Sequence, residues 1–97
     1  MPSLESSIVA AVVRYLKTLP CIFIWKTHGG PYGQGMPDIY CLYRGETFWF
    51  EVKRPGKTAT RLQEEKIKAL RAAGATAEVV TSLDEVKQII GGEGGAS

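Results

Sequence analysis

The chain opens with an amphipathic pattern. From Leu4 to Leu19, apolar residues recur three and four positions apart, at Ile8, Val9, Val12, Val13 and Leu16. This is the spacing of one helix face, so the pattern predicts a first helix over residues 4–19. Ser3 is its predicted N-cap, and Pro20 ends it. Glu5 lies on the same stripe, where either the helix dipole or a functional contact accounts for an acid.

Short segments rich in β-branched and aromatic residues predict strands at 21–26, 38–43, 47–53 and 76–81. Residues 28–37 contain four glycines and two prolines, which is typical of a loop. Only Arg44, Gly45 and Glu46 separate the second and third strands, so these strands are predicted to form a β-hairpin.

Two further helices complete the pattern. Thr60 caps the second, with Gln63 at the capping-box position and Gly74 after its end. Ser82 caps a last helix that is predicted to end at Ile90. The resulting order, αβββαβα, predicts an α/β fold with a mixed sheet flanked by helices. We expect one domain over residues 1–90 and a disordered Gly-rich tail over 91–97.

The net charge of +2 is unevenly distributed. Residues 53–71 contain seven basic and two acidic residues, a net charge of +5, whereas the rest of the chain sums to −3. A positive field suits nucleic acid, although a solvated helix face accounts for it equally well. No apolar run is long enough for a membrane span, and no secretory leader pattern is present. Cys21 and Cys41 lack metal-ligand spacing, so we expect a cytoplasmic protein with buried free thiols.

The third predicted strand carries the candidate chemistry. Side chains alternate between the two faces of a strand, so Phe48, Phe50 and Val52 are predicted to form a core face. Glu51 and Lys53 then share the opposite face, about 7 Å apart along the strand. The alternative is an edge strand with a solvated face.

The hairpin turn decides where Asp38 lies. A two-residue turn at Arg44 and Gly45 places Asp38 directly opposite Glu51, whereas a three-residue turn places it on the Val52 face. Opposed residues have Cβ atoms about 5 Å apart, and two carboxylates that close repel each other unless a cation lies between them. A divalent cation such as Mg²⁺ is suited to this position.

These motifs resemble the signature of the PD-(D/E)xK nucleases. Pro37-Asp38 is followed by Glu51-Val52-Lys53 thirteen residues after Asp38. The segments GMPDIY (35–40) and FWFEVKRPGKTATRLQEEKIKALRAAG (48–74) resemble more closely the VRR-NUC branch, the virus-type replication-repair nucleases. The resemblance extends over roughly residues 5–81, and the ordered set of motifs is more specific than the short signature alone.

The resemblance implies a fold and an activity. The fold is the restriction-endonuclease-like αβββαβα core. The activity is Mg²⁺- or Mn²⁺-dependent endonucleolytic hydrolysis of DNA, selective for branched structures such as four-way junctions or flaps, in replication, repair or recombination. It also implies that the protein acts as a homodimer and is of phage or bacterial origin.

The resemblance also implies roles for individual residues. Asp38, Glu51 and the Val52 carbonyl would bind the metal ion, and Glu5 would support the ion or its waters. Lys53 would orient the attacking water or stabilise the transition state. Gln63 would steady Lys53 or the scissile phosphate. The candidate DNA-binding residues are Lys26, Arg54, Lys57 and Arg61.

Two other function classes stay open. The chain is also compatible with a non-catalytic module that binds branched DNA, or with an interaction domain in which the hairpin charges only form salt bridges. Metal titration discriminates among these classes, because only the nuclease needs a divalent-cation site.

Overall fold

The computed structural model describes residues 3–27 and 35–95, with side chains up to residue 91. Within these ranges the predicted elements occur in the predicted order, which confirms the α/β fold class. The helices are α1 (Leu4–Leu16), α2 (Arg61–Ala72) and α3 (Leu83–Gly95). The strands are β1 (Phe23–Lys26), β2 (Ile39–Tyr43), β3 (Glu46–Val52) and β4 (Thr76–Val80).

The four strands form one mixed sheet in the order β1-β2-β3-β4. β1, β2 and β3 are antiparallel neighbours, whereas β4 runs parallel to β3. A two-residue turn joins β2 to β3, since Tyr43 pairs with Glu46. Both turn residues have positive φ, 54° at Arg44 and 78° at Gly45, as the favoured type I′ hairpin turn requires. The two-residue alternative is therefore the correct one.

The sheet separates two layers of helix. The main core lies between one face of the sheet and helices α1 and α3, where burial of apolar surface stabilises the fold. Its buried members from the strands include Ile39, Cys41, Phe48, Phe50, Val52 and Val80, and those from the helices are Val12, Leu16, Val86 and Ile90. Helix α2 lies on the opposite face, where its buried Ile67 lines a cavity together with Val79 of β4.

Three predicted boundaries were wrong by two residues or more, and the other strand boundaries differ by at most one residue. α1 ends at Leu16 rather than Leu19, because the chain tightens into turns in which the N–H groups of residues 18 and 19 donate to carbonyls three residues back. β1 begins at Phe23 because Cys21 has a φ of 56°, which no strand residue adopts. α3 continues to Gly95 rather than ending at Ile90. Glycine lowers helix propensity but, unlike proline, leaves the N–H available for helical hydrogen bonds.

Both cysteines are free thiols, but only Cys41 is buried as predicted, since Cys21 is exposed in the turn before β1. None of the helices in the described ranges is long and apolar enough to cross a bilayer. Most of the predicted Gly-rich loop, residues 28–34, lies outside the described residues, as do the last two residues of the predicted tail.

Candidate active site

The end of β3 brings a carboxylate and an ammonium group together. Phe50 and Val52 point into the core, and alternation turns the intervening Glu51 and the following Lys53 toward the other face. Glu51 is only 3% exposed, and Nζ of Lys53 lies 3.7 Å from its Oε2. Solvation of an edge strand does not explain this pair, because β3 has a neighbour on each side.

Asp38 lies beside this pair, at the start of β2. The register continues one step beyond the Ile39–Phe50 pair and sets Asp38 opposite Glu51. Oδ2 of Asp38 accepts a hydrogen bond of 2.8 Å from the backbone N–H of Val52. This bond fixes the carboxylate against the end of β3, so that the aspartate is oriented by the backbone of the neighbouring strand.

Thr27 also holds the Asp38 segment, and sequence reasoning did not identify it. Its backbone N–H donates to the Asp38 carbonyl at 2.8 Å, and its hydroxyl donates to the Pro37 carbonyl at 2.6 Å. Thr27 follows β1 directly, so the register between β1 and β2 would identify it as the residue next to Asp38. The ten-residue predicted loop between these strands conceals that register in the sequence.

Helix α2 contributes Gln63 through its first turn. Gln63 closes the predicted capping box, because its Oε1 accepts from the Thr60 N–H at 2.8 Å and its own N–H donates to the Thr60 hydroxyl. The remaining Nε2 donates to Oε2 of Glu51 at 3.2 Å. Gln63 therefore caps the helix and contacts Glu51 at the same time. A role in the helix cap and a role at the acids are compatible for this residue.

Glu51 is held in an environment that opposes its ionisation. Burial, followed by the negative charge of Asp38, raises the pKa of Glu51 from 4.5 to about 8, although Lys53 acts in the opposite direction. Glu5 adds a smaller contribution that also raises this pKa. Oε1 of Glu51 is buried without a hydrogen-bond partner among the described residues. An acceptor in this condition costs free energy unless a cation or a donor reaches it.

The remaining predicted residues divide into two groups. Glu5 and Lys26 line a cleft of about 270 Å³ together with Asp38, so the structure brings both of them to the acid cluster. Arg54, Lys57 and Arg61 are exposed instead, and Arg61 forms a 3.4 Å ion pair with Glu65 on the surface of α2. All three belong to the basic residues 53–71, and Lys57 lines the separate cavity that contains Ile67 and Val79.

The donor set matches a hard cation that keeps part of its hydration shell. Within residues 3–27 and 35–91, no three His, Cys, Asp or Glu side chains form a ready-made metal cage. Asp38 and Glu51 alone face each other, with Glu5 further out. Mg²⁺ is commonly bound through one or two carboxylates plus waters and substrate phosphate, so two acids are sufficient for it.

Comparison with known proteins identifies the fold. No protein-family model matches the chain, and no curated protein matches it. Two solved structures are similar over almost the whole chain. One, described as a "VRR_NUC domain", has a TM-score of 0.77 and 23% identity, and the match covers 92% of this chain and 96% of that one. The other, a "VRR_NUC domain protein", has a TM-score of 0.74 and 23% identity, with 93% and 87% covered. The chain therefore has the fold of VRR-NUC domains.

Proposed function

We propose that this chain is a metal-dependent endodeoxyribonuclease of the VRR-NUC type, with one catalytic domain over residues 1–90. The observation that carries the proposal is Glu51, a nearly fully buried acid placed beside Asp38 and Lys53, whose Oε1 has no hydrogen-bond partner among the described residues. If Glu51 and Lys53 formed only a structural salt bridge, the free-energy cost of burying the Glu51 carboxylate would not be compensated. The fold shared with VRR-NUC domains supports the same conclusion.

A divalent cation fits the residues that are present. Asp38 and Glu51 would hold Mg²⁺ or Mn²⁺, together with the Val52 backbone carbonyl, and Glu5 would hold one of its waters. When bound, the ion would lower the pKa of a water molecule and neutralise charge on the phosphate. Its charge would also remove the repulsion between the two acids and satisfy the orphaned Glu51 oxygen.

The side chains around the acids have separate tasks. Lys53, half-buried next to Glu51, places a positive charge where negative charge develops on the phosphate during hydrolysis. Gln63 holds Oε2 of Glu51 and leaves Oε1 available. The Val52 N–H holds one oxygen of Asp38, so the two carboxylates are oriented before any ligand binds.

The DNA backbone would lie along the basic surface that adjoins the cleft. Lys26 lines the cleft with Glu5 and Asp38, and the exposed cations are Arg54, Lys57 and Arg61. Phosphate contacts of this kind position DNA without reading its sequence. Selectivity is then expected to follow DNA shape, which favours branched substrates such as four-way junctions or flaps, in the cytoplasm of a bacterial or phage-infected cell.

The working form is proposed to be a homodimer. Symmetric cleavage of a branched DNA needs two sites related by a two-fold axis, and one chain provides a single site. We place the interface at β1, which is one of the two outer strands of the sheet and offers an open backbone edge among the described residues. Ile22 and Ile24 already pack on the core of the same chain, so the proposed contact is the backbone edge of β1. Edge strands of this kind pair readily with a second strand.

The test is a cleavage assay with a panel of labelled DNAs: linear duplex, single strand, flap and four-way junction, each with Mg²⁺, Mn²⁺ or EDTA. We expect cleavage of the branched DNAs with either metal ion and none in EDTA. Binding of junctions without cleavage under every condition would favour the non-catalytic DNA-binding module. The absence of both binding and cleavage would favour the interaction domain. Sedimentation equilibrium at micromolar concentration tests the dimer, which a purely 10.6 kDa species that still cuts the junction would contradict.

A further inference from the structure

One half of the sheet presents aromatic rings that no helix in the described ranges covers. Helix α2 packs on β4, whereas Phe23 and Trp25 of β1 are 57% and 58% exposed. Tyr40 of β2 and Trp49 of β3 are half-buried beside them. We call these four residues the aromatic face. Exposed apolar groups that cluster in this way mark an interaction site more often than a folding requirement.

The aromatic face is continuous with the candidate active site. Trp25 pairs with Tyr40, and Tyr40 pairs with Trp49, so all three point to the same side of the sheet. The Tyr40 ring lies 4.7 Å from that of Trp49 and 6.1 Å from that of Phe23, measured between centroids. Trp49 precedes Glu51 by two residues, which places them on one face about 7 Å apart along β3. The rings therefore extend from the acids toward the edge strand.

We propose that the aromatic face binds unpaired nucleotides of a DNA substrate by stacking, next to the position at which the phosphodiester is cut. This inference rests on the proposed nuclease function and adds a requirement for a single-stranded segment. Aromatic rings stack on the flat faces of nucleobases whatever their identity. Bases inside a duplex are already stacked and cannot reach the surface of a protein, so only unpaired ones fit.

Charge supports a nucleic-acid partner. Apart from Glu51, every strand residue on this side of the sheet is uncharged: Phe23, Trp25, Tyr40, Leu42, Thr47, Trp49, Ala77 and Val79. Lys53 lies at one end of the aromatic face, beyond Glu51, whereas Lys26 pairs with the core residue Ile39 and lies on the other face of the sheet. A stacked base therefore meets no acid among the described residues along the rings, and a phosphate next to Glu51 has the Lys53 ammonium within reach.

The dimensions fit a few bases better than a second protein chain. An aromatic residue offers roughly 150–250 Å² of surface, so the exposed parts of Phe23 and Trp25 together present on the order of 250 Å². A stable interface buries about 800 Å² on each partner, so these two rings would supply only about a third of a dimer contact. Three neighbouring strands span about 10 Å, which accommodates two or three stacked bases. The dimer proposed above uses the backbone edge of β1 and leaves this face free.

Intrinsic fluorescence provides a direct test, because Trp25 and Trp49 are the two tryptophans of the chain. The full chain is titrated in EDTA with a ten-nucleotide oligothymidine and with a blunt duplex of the same length. We expect the single strand to quench the tryptophan fluorescence. Trp25→Ala and Phe23→Ala should each bind the single strand about tenfold more weakly, and Trp25→Phe should recover most of the loss. Duplex affinity should stay within about twofold.

Leu4→Ala is the matched control, because Leu4 is 55% exposed on α1, on the other side of the sheet. It should bind the single strand as the wild type does. Unchanged single-strand affinity in both Trp25→Ala and Phe23→Ala would overturn the proposal, even if the protein cuts DNA. So would a Trp25→Ala variant that only dissociates the dimer, since the face would then be a contact between copies. If the variants lose single-strand binding but the wild type cuts no DNA with Mg²⁺ or Mn²⁺, the aromatic face is supported as a binding surface and the nuclease function is refuted.

Discussion

Replacing Glu51 with Gln is expected to stabilise the metal-free protein at neutral pH. The carboxyl is 3% exposed and faces Asp38, and its Oε1 has no partner in the part of the chain that the structure describes, so its charge is costly in the folded state. The amide of Gln is uncharged and nearly the same size, and it keeps an acceptor for the Nε2 group of Gln63. The substitution therefore removes the cost of the charge with little change in packing.

The size of the effect follows from the pKa of Glu51. Its ordinary pKa is 4.5, and burial together with the charge of Asp38 raises this pKa to about 8. Between pH 4.5 and pH 8 the folded state therefore keeps a proton that the unfolded state has lost. The stability contributed by the protonated group is complete below pH 4.5 and is lost as the pH rises through 8. Within this window the slope is about 1.4 kcal/mol per pH unit. Between pH 5 and pH 7 the wild type is expected to lose about 2.5 kcal/mol relative to Glu51→Gln.

The assay is urea unfolding in EDTA at pH 5, 6, 7 and 8, followed by circular dichroism. Comparing the two proteins at each pH cancels the contributions of titrating groups that do not interact with Glu51. Glu46→Gln is the control, because Glu46 is an exposed carboxylate at the hairpin turn of the same strand, and it should follow the wild-type profile. A difference between wild type and Glu51→Gln that stays constant from pH 5 to pH 8 would refute the reasoning.

Three further predictions concern DNA. Lys53→Ala should lower the cleavage rate by about 100-fold or more while DNA affinity and unfolding stay near wild type. Lys66→Ala, at an exposed lysine of α2, is the control and should cut normally. Equal cleavage rates in Lys53→Ala and the wild type would remove Lys53 from the mechanism. DNA affinity should fall steeply with salt, and a salt-independent affinity would contradict a nucleic-acid substrate. The slope should flatten by about one unit for each lost phosphate contact when alanine replaces Arg54, Lys57 or Arg61. Gln63→Glu keeps the helix cap but places another carboxylate beside Glu51, so cleavage at saturating DNA should fall. Thr60→Ala should lower stability by about 1 kcal/mol and preserve cleavage at saturating DNA. Normal cleavage by Gln63→Glu at saturating DNA would make Gln63 only a cap.

Much of the fold was predictable because local signals agree with the tertiary arrangement. The capping box at Thr60 and Gln63 located the start of α2, and alternation in β3 located the core face. The relation between Asp38 and Glu51 depended on a single uncertainty, the length of the hairpin turn. Arg44 does not require a positive φ, so the turn type became clear only when the structure showed φ at 54° there.

The unpredicted features depend on contacts distant in sequence. Nothing local to Thr27 indicates that it holds the Asp38 carbonyl, because a long loop separates the two residues and leaves the β1–β2 register unspecified. The apolar run over residues 22–25 does not show by itself which side chains face the core. In the structure Ile24 packs on the core, while Phe23 and Trp25 lie on the side of the sheet that α2 does not cover at β1. That division depends on where a helix packs, which residue patterns do not encode.

The most direct measurement of the central claim is calorimetric titration of Mn²⁺ into the wild type, Asp38→Asn and Glu51→Gln. If the two carboxylates share a cation, the wild type binds Mn²⁺ at a site that contains both acids. Each substitution should then weaken Mn²⁺ binding at least tenfold. Binding should also release protons near pH 7, because Glu51 must ionise to bind the ion. Equal Mn²⁺ affinity in all three proteins would contradict a shared site, and with it the proposed mechanism.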